Sequence, residues 1–155
     1  MQLQIISMGN KMPNWVDDAL TQYLVRVPQE YNFKITEIPL QKRTKNRDIA
    51  AIMQQEGEII LSKINPSDLI VTLEINGKNW STEQLAKQLT NWQQNTKKVN
   101  FIIGGPEGLA PNVRAKSDIA WSLSNLTLPH PLARIIVVEQ IYRALMILQN
   151  HPYHK

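Results

Sequence analysis

"DLIVTLE", residues 68–74, places five consecutive apolar or β-branched side chains between two acids. A strand with one wet face alternates, whereas an unbroken run suits a strand buried on both faces. Such strands belong to parallel sheets covered by helices on either side, so this stretch predicts an α/β fold. An Asn76-Gly77 turn is expected after it.

The segments around it agree. "LQIISM" (3–8), "NFKITEIP" (32–39), "VNFII" (99–103) and "IAWSLS" (119–124) read as further strands. Between them, "PNWVDDALTQYLVRV" sets Trp15, Val16, Ala19, Leu20, Tyr23 and Leu24 on one helical stripe behind Pro13. Ile49, Ile52, Met53, Ile60 and Ile64 predict a second helix, stopped at "INPSD". Ser81 and Gln84 form a capping-box start for a third. The last, "LARIIVVEQIYRALMILQ" (132–149), is apolar on most of its circumference. A helix of that kind is buried, and in a small protein this suggests a subunit interface.

With 155 residues, no linker and no repeat, one domain spanning 1–155 is expected. The absence of cysteine excludes disulfides, a cysteine nucleophile and thiolate metal sites, and fits a cytoplasmic protein. No metal site, membrane span or signal peptide is expected. A net charge of +4 makes a polyanionic partner plausible.

Ligands of open α/β sheets sit beyond the carboxyl ends of the strands. Those ends are Leu73-Glu74, Gly104-Gly105 and the region after Ser124. "GGPEG" (104–108) lacks both the dinucleotide glycine spacing and the lysine of a phosphate loop. Glu107 would repel a phosphate. The loop is either a tight turn needing positive φ or the wall of a pocket for a neutral or cationic ligand. A nucleotide-phosphate enzyme is thereby disfavoured. In "LSNLTLPHPLAR" (123–134), Pro129 and Pro131 fix the chain around His130, either as a rigid connection or as a second wall. Glu139 and Arg143 stand at i, i+4 on the last helix. "QKRTKNR" (41–47) is a basic loop, solvated or in contact with RNA phosphates. The tail "NHPYHK" mixes aromatic, histidine and basic residues of the kind that stack on unpaired bases.

Taken together, "GNKMPNWV" (9–16), "FIIGGPEGL" (101–109), "WSLSNLTLPHPLARIIVVEQIYRA" (121–144) and "NHPYHK" (150–155) resemble the RlmH family of ribosomal RNA methyltransferases, within the SPOUT superfamily. The likeness runs from Met1 to Lys155. It implies a parallel sheet flanked by helices with a C-terminal deep trefoil knot, which general topology rules would not lead one to draw. It implies an S-adenosylmethionine-dependent homodimer that methylates N3 of a pseudouridine in large-subunit (23S) ribosomal RNA on the assembled ribosome. Carried over by position, the methyl-donor pocket uses Leu73, Gly104, Gly105, Leu123, Ser124, Asn125, Leu126, Thr127 and Leu128. Arg143 is the expected anion-stabilising or positioning group, with Tyr153 and His154 on the base or backbone and His130 in second rank. No residue identifies itself as a general base. The alternative from another class is a non-catalytic ribosome-binding factor of the same fold.

Overall fold

The structure is a computed structural model that describes residues 1–154; the side chain of His154 and all of Lys155 lie outside the described residues. The expectation placed on His154 therefore falls outside them too.

Five strands form one parallel sheet: β1 (Gln2–Met8), β2 (Lys34–Ile38), β3 (Leu69–Asn79), β4 (Lys98–Ile103) and β5 (Ile119–Ser122). Their order is β2-β1-β4-β3-β5, with β4 at the centre. The opening stretch behaves as its composition requires, since Ile70, Val71 and Thr72 are all buried. Helices α1 (Asn14–Leu24), α3 (Thr82–Asn95) and α5 (His130–Leu148) cover one face. Against them pack Leu3, Ile5, Val71, Val99, Phe101 and Trp121. The opposite face sets Ile6, Met8, Ile70 and Ile102 against Ile60 of α2 (Ile49–Leu61) and Val113 of the short α4 (Pro111–Arg114). Alternate residues of one strand thus serve two cores, and each fully buried Leu, Ile or Phe contributes roughly 1.5–3 kcal/mol.

Local signals set the helix ends. The Ser81 hydroxyl accepts from the Gln84 amide at 3.2 Å, and the Gln84 side chain accepts from the Ser81 amide at 2.8 Å. Pro129 caps α5, and Pro131 lies in its first turn, where a missing N–H costs nothing.

Two expectations are corrected. Asn76-Gly77 is no turn: β3 runs through it, and its register on β5 shifts so that both Leu73 and Lys78 pair with Trp121. Residues 74–77 bulge out between these pairings. A Cβ on Gly77 would lie 2.7 Å from the carbonyl carbons of Ala120 and Trp121, so the glycine serves close backbone approach. Trp15 does not share the buried stripe of α1 but stands 53% exposed. The apolar girth of α5 is largely absorbed within the chain, because the helix lies between α1 and α3 on the sheet. Its remaining open face carries Leu132, 41% exposed.

Candidate functional site

A cleft of about 480 Å³ opens at the bulge of β3 and beyond the carboxyl ends of β4 and β5. The β3 bulge (Glu74 to Asn76) forms one wall. Residues 103–109 form a second, and residues 121–128 with His130 a third. Of the residues expected to hold the donor, Leu73, Gly104, Gly105, Leu123 and Ser124 line it, as do Leu126, Thr127 and Leu128. Asn125 points elsewhere: its Oδ1 accepts from Asn79 Nδ2 at 3.2 Å. His130 belongs to the cleft, and so does Trp121, which the sequence did not single out.

The glycine loop is closed by its own backbone. Gly105 and Gly108 form an isolated bridge, with the Gly108 amide donating to the Gly105 carbonyl at 3.0 Å. Gly108 has φ +85°, and a Cβ on Gly104 would lie 2.6 Å from the Gly108 carbonyl carbon. Only glycine fits this fold-back. The third wall is organised by its serines. Ser122 donates from Oγ to the Ser124 carbonyl at 3.1 Å, and Ser124 Oγ accepts from the Leu126 amide at 2.9 Å.

Glu107 turns out to be held by a residue 64 positions away. Arg43 Nε and Nη2 donate to its two oxygens at 3.1 and 2.9 Å. The same guanidinium bonds Glu56 on α2, through Nη1 and Nη2, and the Gln41 carbonyl at 2.7 Å. All five N–H donors of Arg43 are thereby used. These hydrogen bonds push the Glu107 carboxyl below its ordinary range and Arg43 above its own. The sequence marked Arg43 only as one cation in a basic loop. No local signal reveals a tether whose partners lie on two other elements.

The other cleft carboxylate, Glu74, accepts from the Thr72 hydroxyl at 2.8 Å and pairs with Arg114 at 3.4 Å. Each carboxylate lining the cleft is thus paired with an arginine, and among the described residues no surplus of cations is left there to hold a polyphosphate. Below the cleft, Arg134 is fully buried, one turn into α5. It pairs with Glu37 at 2.6 Å and donates to the Met8 and Gly9 carbonyls. Burial pushes its pKa down, opposed by the Glu37 charge. This anchor ties the start of α5 to the ends of β1 and β2. It also went unnoticed in the sequence, although "HPLAR" spaces it four residues from His130.

Arg143 and Tyr153 do not line this cleft. Arg143 Nε and Nη2 donate to Glu139 Oε1 at 2.9 and 2.6 Å, and Nη1 donates to the Tyr153 carbonyl at 3.2 Å. Its guanidinium lies 5.0 Å from the Tyr153 ring centre, a cation–π contact. Two of its five N–H donors have no acceptor among the described residues. Arg143 stands thirteen helical steps beyond His130 at the cleft, about 20 Å at 1.5 Å per residue. Within one chain the two groups are far apart. Among the described residues, none group as a metal site, and no helix is long and apolar enough to cross a membrane.

A five-stranded parallel sheet with a backbone-walled cleft of this kind defines a class, and comparison with known families gives it a name. Residues 1–154 match the model described as "Predicted SPOUT methyltransferase", and the chain belongs to that family. Its relatives narrow this further. It is 54% identical to "Ribosomal RNA large subunit methyltransferase H" of Pseudomonas putida (strain W619) over 155 residues, 100% of both chains. The proteins of the same name from Stutzerimonas stutzeri (strain A1501) and Pseudomonas paraeruginosa (strain DSM 24068 / PA7) are 53% and 52% identical, again over 100% of each chain.

Proposed function

We propose that the protein methylates N3 of a pseudouridine in large-subunit (23S) ribosomal RNA on the assembled ribosome, using S-adenosylmethionine. The observation that carries this reading is the cleft walled by residues 103–109 and 121–128, with no surplus of cations among its described residues, in a chain that matches the ribosomal RNA methyltransferases from end to end.

The cleft suits a phosphate-free, cationic donor. Leu73, Trp121 and Leu128 offer apolar surface, the two glycine- and serine-built loops offer backbone groups, and Glu107 is held by Arg43, a cation it shares with Glu56. S-adenosylmethionine bound there supplies a methyl group activated by its sulfonium. The protein must then place the base nitrogen in line and favour loss of the imide proton. Arg143 is suited to the second task, with a fixed positive charge and two uncommitted donors. Tyr153 holds its plane.

Because Arg143 lies about 20 Å along α5 from the cleft of its own chain, a second copy must bring it there. The reading is therefore a homodimer with composite sites, the donor bound by one chain and the base met by Arg143 and the tail of the other. The deep trefoil knot and a cytoplasmic location belong to the same reading. In this reading the 155 residues act as one domain, and much of the recognition falls to the shape of the ribosome.

Mass spectrometry of ribosomal RNA from cells with and without the protein tests this directly. Loss of one methylpseudouridine is expected, and an unchanged modification pattern would sink the reading. Calorimetric titration with S-adenosylmethionine separates an enzyme from a non-catalytic ribosome-binding factor, which would bind none.

A further inference from the structure

The loop between β2 and α2 extends the site outward. Leu40 packs on the glycine wall, its Cδ2 lying 3.2 Å from where a Cβ on Gly105 would be. Arg43 forks onto Glu107 of the same wall. Loop 40–47 is thus fastened to the rim of the cleft at two points. Yet Arg43, its one tethered cation, is saturated. Lys42, Lys45 and Arg47 are exposed, and among the described residues none is in an ion pair. Arg47 reaches only the Lys42 carbonyl and Gln41 Oε1, at 3.3 and 3.4 Å. The nearby acids are committed: Asp48 caps α2 through the Ala50 amide, and Glu56 holds Arg43.

Three unpaired cations on a loop tied to the cleft are a disposition that water alone does not call for. Exposed like charges repel, and here they are concentrated rather than interspersed with acids. A polyanion lying across the mouth of the cleft would compensate them. We propose that loop 40–47 grips the phosphate backbone of the RNA substrate through Lys42, Lys45 and Arg47, with Arg43 fixing the grip relative to the donor cleft; this rests on the reading of the protein as an RNA methyltransferase. Such contacts set the register of the RNA and carry no base specificity.

The test is the triple variant Lys42→Gln, Lys45→Gln, Arg47→Gln, assayed on ribosomes over a range of salt. Each lost phosphate contact lowers the slope of log affinity against log salt by about 0.7 for a single strand, so a drop of about 2 is expected. Ribosome KM should rise about tenfold or more at low salt. Turnover at saturating ribosomes and affinity for S-adenosylmethionine should stay near wild type, because none of the three side chains lines the cleft. An unchanged slope and KM in an active triple variant would overturn the proposal. Failure of the wild-type protein to bind donor or methylate RNA would instead remove the functional reading beneath it. The chain has no cysteine, so Lys45→Cys gives a unique attachment point for a photo-crosslinker. Capture of ribosomal RNA supports the grip; capture of a ribosomal protein alone overturns it.

Discussion

Arg43 and Glu107, 64 residues apart, meet through two parallel hydrogen bonds of 3.1 and 2.9 Å at the rim of the cleft. The acid that looked out of place in a ligand loop is the handle by which that loop is held. A lysine cannot fork onto two oxygens, nor serve Glu56 and the Gln41 carbonyl at once. Arg43→Lys is therefore expected to weaken S-adenosylmethionine binding by about tenfold, roughly 1.4 kcal/mol, in calorimetry. Wild-type affinity in that variant would show that the wall stands without the fork.

The same pair carries a pH dependence. Hydrogen bonds from Arg43 hold the Glu107 carboxyl below its ordinary value of 4.5 in the folded chain. A lowered folded pKa adds stability that is complete above the unfolded value and disappears as pH falls through the folded one. Wild type should thus be more stable than Glu107→Gln near neutral pH. The two denaturation curves should approach one another as pH falls below 4.5 and through the lowered folded value. A difference that persists in acid would assign the stabilisation to something other than the charge on Glu107.

Gly104→Ala puts a methyl group 2.6 Å from the Gly108 carbonyl carbon, against backbone that has no room to yield. Donor binding should fall below detection while the helices survive. The cost in chemical denaturation should be about 2 kcal/mol or more. Retained binding would mean that the fold-back can open without harm.

Arg143→Ala should abolish methylation and leave donor affinity within about twofold of wild type, since Arg143 is absent from the cleft of its own chain. Tyr153→Phe keeps the ring under the guanidinium and should retain much of the activity, whereas Tyr153→Ala should not. Near-normal turnover in Arg143→Ala would remove it from the chemistry.

Arg134→Met leaves Glu37 without its partner and two carbonyls without their donor. Glu37 keeps some access to water, so about 3 kcal/mol of lost stability is expected, toward the low end for a broken buried pair. Equilibrium denaturation measures it, and a loss below about 1 kcal/mol would show that the anchor is dispensable.

Much of this was written in the chain's local order. The unbroken run at 69–73 announced a parallel sheet, and Gly104 and Ser124 marked where the cleft would open; Leu73 lines it too, although β3 does not end there but bulges and runs on to Asn79. The capping box at Ser81 and the prolines around His130 were read correctly because both act through neighbours in sequence. Asn76-Gly77 was misread for the complementary reason. The pair carries turn chemistry in isolation, but the approach of β5 to within van der Waals distance makes it part of a bulged strand.

What the sequence determined by itself is the set of short-range preferences: which segments are strands or helices, which faces are apolar, and which family the chain resembles. Only the tertiary structure decided the long-range pairings. It joined Arg43 to Glu107 and Glu56, sank Arg134 among the strand ends, and separated Arg143 from the cleft along the length of one helix. Periodicity and capping depend on residues a few positions apart. Charge partners across 64 or 97 residues are chosen by the packing of the sheet.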